Sequence, residues 1–425
     1  MVIGPGRILT GAHCVAHATF LQVQKGSSPA KVVATVLSVC HDSDLALLSV
    51  EKSFTKGIKG AEIGELSRLG DEVSVVGYPV GGDELSITEG IVSRIEVQSY
   101  EHSDRSLLAV TVDAAINSGN SGGPVFHRGK VVGIAFQSLE DAENIGEMVP
   151  APIIRTFLEG VRLKKPPLVP GLGVVTQHLE NPALRKSLRL RKTEGGILIQ
   201  SVQFGTTAWG KLRPGDVLLE IDGMKIAANG TVRYLGRFRC QFDVVFGERF
   251  VGDKIEGLIL RDGRRRAIQL TLRPMALLVP RSCHDTRPDW FTFAGLVLTP
   301  LTVEFLRVWG DEWWKRAPTR LVHAYYHGDR TEECQELLVI AQVLADEVNV
   351  GYESFEYEVV ASIDGRRPQD LKDAVAALDA AEERVTLGTE SGSRLHFELA
   401  DVTEANLRIE ERYRMPGDRS EALRS

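Results

Sequence analysis

The chain has 425 residues, a hydrophobic content of 43%, a charged content of 25% and a net charge of −7. These values are typical of a globular protein with more than one domain, and the acidic balance excludes the basic surface that nucleic-acid binding requires. The chain contains no apolar run long enough to span a bilayer and no C-x-x-C pair among its five cysteines, so neither a membrane span nor a zinc knuckle is expected.

The first segment, residues 1–163, consists of short β-rich runs separated by glycine and polar turns. Many short strands at regular spacing predict a sandwich or a barrel. A short helix is predicted after Pro150, over residues 151–162. The Lys- and Pro-rich stretch 163–171 is interpreted as a linker. No signal or transit peptide is visible, because strand-like sequence begins at once.

Two further segments follow, at 168–275 and 278–412. Each has an apolar strand that begins near a glycine, then a strand that ends in "IDG", then a closing strand. The turns at 220–226 and 362–368 therefore predict two copies of one small module. The last residues, 413–425, are interpreted as a charged tail.

A serine stands between glycines in "INSGNSGGPVF", at Ser121. A serine hydroxyl becomes a nucleophile only with a general base beside it and an anion that orients the base. His13, in "ILTGAHCV", follows an apolar strand and enters a small-residue turn. Asp44, in "HDSDLALLSV", directly precedes an apolar strand. The chain thus contains a candidate for each of the three roles.

The blocks "TGAHC", "SDLALL" and "GNSGGP" resemble the three catalytic blocks of trypsin-like serine proteases, in the same His, Asp, Ser order. The stretch "GYPVGGDELSITEGIVS" is similar to the HtrA/Deg branch. Downstream, "LENPALRKSL", "LRPGDVLLEIDG", "FTFAGLVLTPLT" and "VNVGYE" resemble plant-type Deg proteases. The resemblance implies a mainly β chain: a trypsin-like double β-barrel protease domain over 1–163, then two α+β PDZ-like domains over 168–275 and 278–412.

The resemblance also implies roles for individual residues. His13 is the expected general base, Asp44 orients it, and Ser121 attacks the peptide carbonyl. The N–H groups of Gly119 and Ser121 are the expected oxyanion hole.

Substrate is expected to pair as an added strand with the backbone of Phe136, Gln137 and Ser138. Met148, with Ile145, is expected to line an apolar pocket for the residue before the cut.

In the first PDZ domain, Leu172, Gly173 and Val174 are the expected loop for a peptide carboxylate. The corresponding loop of the second, residues 293–297, is interpreted either as another carboxylate loop or as an ordinary glycine turn. Expected partners are unfolded or damaged proteins, peptide C-termini and further copies of the chain in homo-oligomers built from trimers. No nucleotide, metal or other cofactor is expected. His323 and His327 have metal-ligand spacing, but no carboxylate or cysteine falls at a matching interval, so no metal site is expected there.

The chain departs from the family pattern at its start. Because it begins at Met1, the first barrel is expected to lack one or two opening strands, which is the sense in which the protease domain is N-terminally truncated. Cys14 resembles a disulfide cysteine whose partner would lie upstream, so a buried free thiol is expected. The alternative function is therefore a catalytically impaired PDZ adaptor or chaperone. Members of the family occur in chloroplasts, mitochondria and the nucleus, and the sequence does not select one of these compartments.

Overall fold

The computed structural model describes residues 1–26, 28–78, 84–114, 116, 119–138 and 145–424. The chain divides into two compact units, Met1–Met275 and Ala276–Ser425. The expectation of a mainly β chain is confirmed. None of the described helices is both long and apolar enough to cross a membrane.

The first unit begins with an antiparallel sheet in the order β1-β2-β5-β4-β3. Its central strand, β5, is apolar and buried on both faces, and it pairs with β2 so that Thr10 lies opposite Ala46. The segment after β2 and the turn before β5 therefore meet at one edge of this sheet. The strands are β1 Val2–Gly4, β2 Arg7–Thr10, β3 Leu21–Gln24, β4 Lys31–Cys40 and β5 Leu45–Ser49.

A closed barrel follows, in the order β10-β11-β8-β7-β6-β9. Apolar residues that alternate along its strands, such as Val73, Val75 and Val125, fill its interior. The β9–β10 hairpin turns through Arg128 and Gly129, both at positive φ, as a two-residue hairpin requires. The strands are β6 Glu72–Gly77, β7 Ser86–Tyr100, β8 Arg105–Val112, β9 Pro124–His127, β10 Lys130–Ser138 and β11 Gly146–Pro150.

Helix α1, Ala151–Leu163, follows Pro150, and Lys164 in the left-handed region ends it. The next sheet, β13-β14-β15-β19-β20, has β13 at an edge. Two of its hairpins turn at Asp222-Gly223 and Asp262-Gly263, with all four residues at positive φ. The elements are β12 Pro170–Gly171, β13 Val174–His178, α2 Pro182–Ser187, β14 Ile197–Val202, β15 Val217–Ile221, β16 Met224–Lys225, β17 Thr231–Tyr234, β18 Phe238–Gln241, a 3-10 helix Phe242–Glu248, β19 Lys254–Arg261, β20 Arg264–Thr271 and β21 Arg273–Pro274.

The barrel and this sheet share one hydrophobic core. A β-carbon added to Gly247, in the 3-10 helix, would lie 2.6 Å from Ile153 Cδ1 of α1. We expected a linker to separate the two domains near residue 163, and the structure instead joins them in one compact unit.

The second unit contains two sheets, β22-β23-β24 and β25-β26-β27, packed around their own core. A cluster of aromatic residues packs within this unit, with Trp313 buried against Tyr325. The elements are β22 Phe291–Phe293, β23 Leu296–Pro300, α3 Val303–Leu306, α4 Trp313–Arg316, α5 Thr319–His327, β24 Leu338–Val343, β25 Val360–Ile363, α6 Leu371–Asp379, β26 Arg384–Thr389, β27 Arg394–Glu398 and α7 Leu399–Tyr413.

The segment interpreted as a charged tail packs within this second unit. Arg419 is paired with Asp379 at 2.7 Å, and its guanidinium lies over the Phe291 ring at 4.8 Å. The Thr292 N–H donates to the carbonyl of Asp418 at 2.7 Å. The charges of this segment thus find partners in α6 and β22, which a tail in solvent would not have.

Candidate active site

His13 and Asp44 meet at the edge where β2 ends and β5 begins. Asp44 is fully buried, at positive φ, in the turn that precedes β5. Its Oδ1 accepts the His13 backbone N–H at 2.8 Å, and its Oδ2 lies 2.6 Å from His13 Nδ1. Both carboxylate oxygens therefore bind the same residue, which fixes the position of the backbone as well as the orientation of the ring.

The environment of His13 shifts its proton affinity. Burial lowers the pKa of the imidazole, but its hydrogen bonds with Asp44 and Cys14 and the charges of both groups outweigh burial and raise the pKa to about 10. The ring also lies against Gly11, because a β-carbon there would be 2.5 Å from His13 Cε1. The glycine before the histidine is thus required by close packing.

Ser121 stands in a tight turn between β8 and β9. Gly119 and Gly122 have φ of +102° and +77°, and the Gly123 N–H donates to Asn120 O at 3.0 Å. The Gly122 N–H donates to Ala135 O at 2.7 Å, which attaches the turn to β10. Within the described part of the chain, the Ser121 hydroxyl and the N–H groups of Gly119 and Ser121 have no hydrogen-bond partner. These groups are available to a substrate.

The serine turn and the histidine segment touch through Cys14. The Cys14 Sγ lies 3.3 Å from His13 Nε2 and donates to the Ser121 carbonyl at 3.6 Å. We expected a buried thiol at this position, and that prediction was wrong, because Cys14 is exposed.

The expected substrate edge lies at the end of β10. Strand β9 pairs with residues 130–134 of β10, and Ala135 then bonds the serine turn, so residues 136–138 come next along this edge. Phe136 is buried against the Tyr100 ring at 4.4 Å. The Gln137 side chain bonds Glu147 at 2.5 Å, the Glu101 N–H at 2.8 Å and the Ser99 carbonyl at 3.2 Å. The backbone of Ser138 pairs with Gly146.

Met148 does not reach the surface of the site. It is fully buried, and a β-carbon at Gly133 would lie 2.3 Å from its Sδ. The prediction that Met148 lines a substrate pocket was wrong, because β11 is buried on both faces and this side chain fills the barrel. Of the stretch 143–150 that suggested the pocket, residues 143 and 144 lie outside the described residues.

The sequence did not predict the pair of histidines that lies beside the site. His41 Nδ1 lies 2.9 Å from His102 Nε2, and the His102 ring centroid lies 6.2 Å from that of His13. They come from two loops far apart in the chain, and no spacing pattern in the sequence could have joined them.

The two loops with PDZ-type sequence differ in their bonding. In the first, Gly173 has φ of +74°, and the carbonyls of Leu172 and Gly173 accept from Ala208 and Gln203. Val174 begins the edge strand β13.

In the second, the Ala294 N–H donates to Asn406 of α7 at 3.0 Å, and its carbonyl accepts from Asn349 at 2.8 Å. Strand β23 lies between β22 and β24. Side chains of the same chain therefore satisfy the backbone N–H and carbonyl of Ala294 in this loop, and the strand that follows has a paired strand on each side.

Comparisons with known proteins match parts of the chain to two domain families. Residues 1–134 match the trypsin-like peptidase domain, and residues 279–422 match a PDZ domain. Protease Do-like 2, chloroplastic, of Arabidopsis thaliana is 37% identical over 99% of this chain and 70% of its own length. Protease Do-like 4, mitochondrial, of the same plant is 34% identical over 98% of this chain and 78% of its own. The solved structure of the HtrA-type protease AlgW with decapeptide has 26% identity and a TM-score of 0.51, and the match covers 65% of this chain and 82% of that one.

Proposed function

The chain belongs to the Do-like (HtrA/Deg) family of serine endopeptidases, and from this premise we propose that it hydrolyses unfolded or damaged proteins without ATP, with His13, Asp44 and Ser121 as its catalytic triad. The observation that carries the proposal is the pair of hydrogen bonds between Asp44 and His13, at 2.8 Å to the backbone N–H and 2.6 Å to Nδ1. These two contacts hold the ring with Nδ1 towards the carboxylate, as the orienting aspartate of a triad does.

The proposed reaction follows from this arrangement. His13 Nε2 takes the proton of the Ser121 hydroxyl while the serine oxygen attacks the substrate carbonyl. Asp44 stabilises the imidazolium that forms. The imidazolium then protonates the leaving amine and leaves an acyl-enzyme, which a water molecule hydrolyses with His13 acting again as base.

The N–H groups of Gly119 and Ser121 are the proposed donors to the oxyanion. Both lack partners within the described residues, and the positive φ of Gly119 and Gly122 shapes the turn between them. Loss of one such donor costs about 3–4 kcal/mol of transition-state stabilisation. The substrate is proposed to pair with the backbone at Phe136, Gln137 and Ser138, next to this turn.

Two further parts of the proposal concern binding. The loop Leu172–Val174 and the edge strand β13 would take peptide C-termini by strand addition, with the carboxylate at the loop. The second unit, whose corresponding loop is bonded by Asn406 and Asn349, is proposed to act in assembly of the chain into trimer-based homo-oligomers.

The test is reaction of the purified chain with a fluorophosphonate probe, beside Ser121→Ala and His13→Ala. We expect labelling of Ser121 that both substitutions abolish, and cleavage of unfolded casein but not of a folded control protein in buffer without nucleotide. A folded chain that leaves the probe unreacted would contradict catalysis.

One observation favours the alternative, an adaptor or chaperone that binds without cleaving. His13 Nε2 faces the Cys14 thiol at 3.3 Å, and the Ser121 hydroxyl has no partner within the described residues. If this arrangement persists with substrate bound, peptides will bind the chain and remain intact. Suppression of casein aggregation by Ser121→Ala and by the unsubstituted chain alike, with no cleavage by either, would support this alternative.

A further inference from the structure

The thiol of Cys14 lies at the one nitrogen that the proposed mechanism needs. Its Sγ is 3.3 Å from His13 Nε2, whose ring is held by Asp44 on the other side. Cys14 is exposed, whereas Cys40, Cys240 and Cys334 are buried and Cys283 is half-buried. Three groups, thiol, imidazole and carboxylate, thus stand in the order that activates a cysteine nucleophile.

The chemistry of this cluster follows from proton transfer. Cys14 can pass its proton to His13 Nε2, and Asp44 stabilises the imidazolium beside the thiolate. A thiolate next to a positive imidazolium is the reactive form of cysteine, and it attacks disulfides from an exposed position. The buried cysteines of the chain have neither this partner nor this access.

The space around Sγ determines what a substituent would do. A β-carbon at Gly122 would lie 2.5 Å from Sγ, so the thiol fills the gap between the histidine segment and the serine turn. Sγ also lies 3.6 Å from the Ser121 carbonyl oxygen. A bulky group attached to this sulfur would therefore lie beside Nε2 and the turn that carries Ser121.

We propose that Cys14 is a modification site at which small disulfides, of the class of glutathione disulfide, reversibly switch the peptidase off. The inference rests on the proposed function, because it assigns the switch to the base of that same site. The Cys14 thiolate attacks one sulfur of R–S–S–R, so that a new S–S bond joins Cys14 to that sulfur and the original S–S bond of the small disulfide breaks. The leaving thiolate takes the proton held by His13 and departs as R–SH, so atoms, charge and electrons balance.

The expected effect is loss of the contribution of the general base. With Nε2 screened from Ser121, kcat/KM should fall by about 10²-fold or more. Excess dithiothreitol should restore it, because exchange regenerates the free thiol.

The experiment treats the full chain with glutathione disulfide and measures three things: the adduct on each cysteine by peptide mass spectrometry, kcat/KM with a fluorogenic peptide, and the thermal unfolding midpoint. We expect one glutathionyl group on Cys14, lost activity and an unchanged midpoint. Cys14→Ala should cleave the peptide, and glutathione disulfide should not lower its kcat/KM. The matched variant Cys283→Ala should be inhibited as the unsubstituted chain is.

Three results would overturn the proposal: no adduct on Cys14, an adduct that leaves activity intact, or inhibition of Cys14→Ala equal to that of the unsubstituted chain. Failure of the proposed function gives a different result from failure of the switch. A fully reduced chain that neither cleaves the peptide nor labels with fluorophosphonate would refute the peptidase mechanism, whereas the adduct measurement still reports the reactivity of Cys14.

Discussion

At the scale of single residues, the two nitrogens of the His13 ring have different partners, and this difference decides which proton can move. Nδ1 faces the fully buried Asp44 carboxylate at 2.6 Å, so it carries the hydrogen. Nε2 then carries the lone pair that accepts a proton from a hydroxyl or a thiol. The ring has one acceptor and two candidate donors, Ser121 and Cys14, and the reaction depends on which of them reaches it.

The first prediction concerns this tautomer. In Asp44→Asn the amide can donate to Nδ1 and favour the wrong tautomer, so we expect kcat to fall by about 10⁴-fold. The measurement is kcat on a fluorogenic peptide together with the rate of fluorophosphonate labelling, after circular dichroism has established that the variant is folded. A folded variant with nearly unchanged kcat would contradict the role of Asp44.

A second prediction follows from the raised pKa of His13. A base works only when deprotonated, so a pKa above the ordinary value of 6.5 moves the acidic limb of kcat/KM to higher pH. The same raised pKa stabilises the folded chain below about pH 6.5, and this contribution disappears as pH rises through the folded-state pKa. We expect activity to increase across the neutral and into the alkaline range.

Among the described residues, Asp44, Cys14 and His102 face the ring. Cys14→Ala removes a hydrogen bond that raises the pKa of His13, so its acidic limb should lie at lower pH than that of the unsubstituted chain. The check is a pH profile of kcat/KM at constant ionic strength. Limbs that coincide at or below pH 6.5 would contradict both the shift and its cause.

The positions of His13 and Asp44 could be predicted because each stands at the end of an apolar strand, in a motif of its own. The contact of Cys14 with Nε2 could not. It depends on the serine turn, which is more than a hundred residues away in the chain and approaches through Gly122. The His41–His102 pair depends in the same way on two loops without periodic patterns.

At the scale of elements, the serine turn packs closely against the histidine segment because glycine has no side chain. A β-carbon at Gly122 would lie 2.5 Å from both Thr10 Oγ1 and Cys14 Sγ and 3.2 Å from the Gly11 backbone nitrogen. Gly122 also has φ of +77°. The turn therefore needs glycine for its conformation and for its close approach to the histidine segment.

The third prediction separates these two requirements. Gly122→Ala should lower kcat by about 10²-fold or more, because the turn that carries the oxyanion donors must shift. Gly129→Ala is the matched control: its φ is +76°, but nothing lies within 4 Å of an added β-carbon. Both should lose about 1–2 kcal/mol of unfolding free energy from the left-handed conformation. Equal kcat in the two variants would show that packing of the turn does not matter.

A fourth prediction tests the carboxylate loop in the same way. A β-carbon at Gly173 would lie 2.2 Å from Thr206, whereas one at Gly205, with similar φ, would meet nothing within 4 Å. We expect Gly173→Ala to weaken binding of a fluorescein-labelled peptide with a free C-terminal valine, and Gly205→Ala to bind it normally. The amidated peptide should bind neither variant tightly. Fluorescence anisotropy measures each affinity, and an unaffected Gly173→Ala would remove this loop from the peptide site.

Most strands could be predicted because apolar residues alternate along them and Asp-Gly turns separate them. Strand β11 shows where this reasoning stops. All of its residues, Gly146–Pro150, are buried, so the pattern does not tell which face lines a site and which fills the barrel. Met148 was placed at the substrate by resemblance, and the close approach of Gly133 takes it into the core instead.

At the scale of the whole molecule, composition did not predict that the barrel and the following sheet of the first unit pack together. The stretch 163–171 is rich in Lys and Pro, which is typical of an exposed linker, yet Val169 within it is buried. Arg105 donates to the carbonyls of Val169 and Pro170 at 2.9 Å each and pairs with Asp42 at 3.1 Å. The linker is thus bound to the turn that carries Asp44, through contacts that only the folded barrel brings together.

The last prediction follows from this shared core. Leu107 and Ile153 of the barrel and α1 are almost fully buried, and Gly247 of the 3-10 helix packs close to both. Exposing side chains of this kind costs about 1.5–3 kcal/mol each, a large part of the 5–15 kcal/mol that holds a typical domain folded. A fragment of residues 1–163 should therefore be unfolded or much less stable than a fragment of residues 1–275.

Fragment 276–425 has its own core and should fold alone, so the full chain should unfold in two calorimetric transitions that match fragments 1–275 and 276–425. Fluorophosphonate should label fragment 1–275 at Ser121, because every residue of the proposed site lies within it. If fragment 1–163 melts at the same temperature as fragment 1–275, the core that joins the barrel to the following sheet contributes little. The boundary near residue 163 would then separate two folding units, as the composition of the linker suggests.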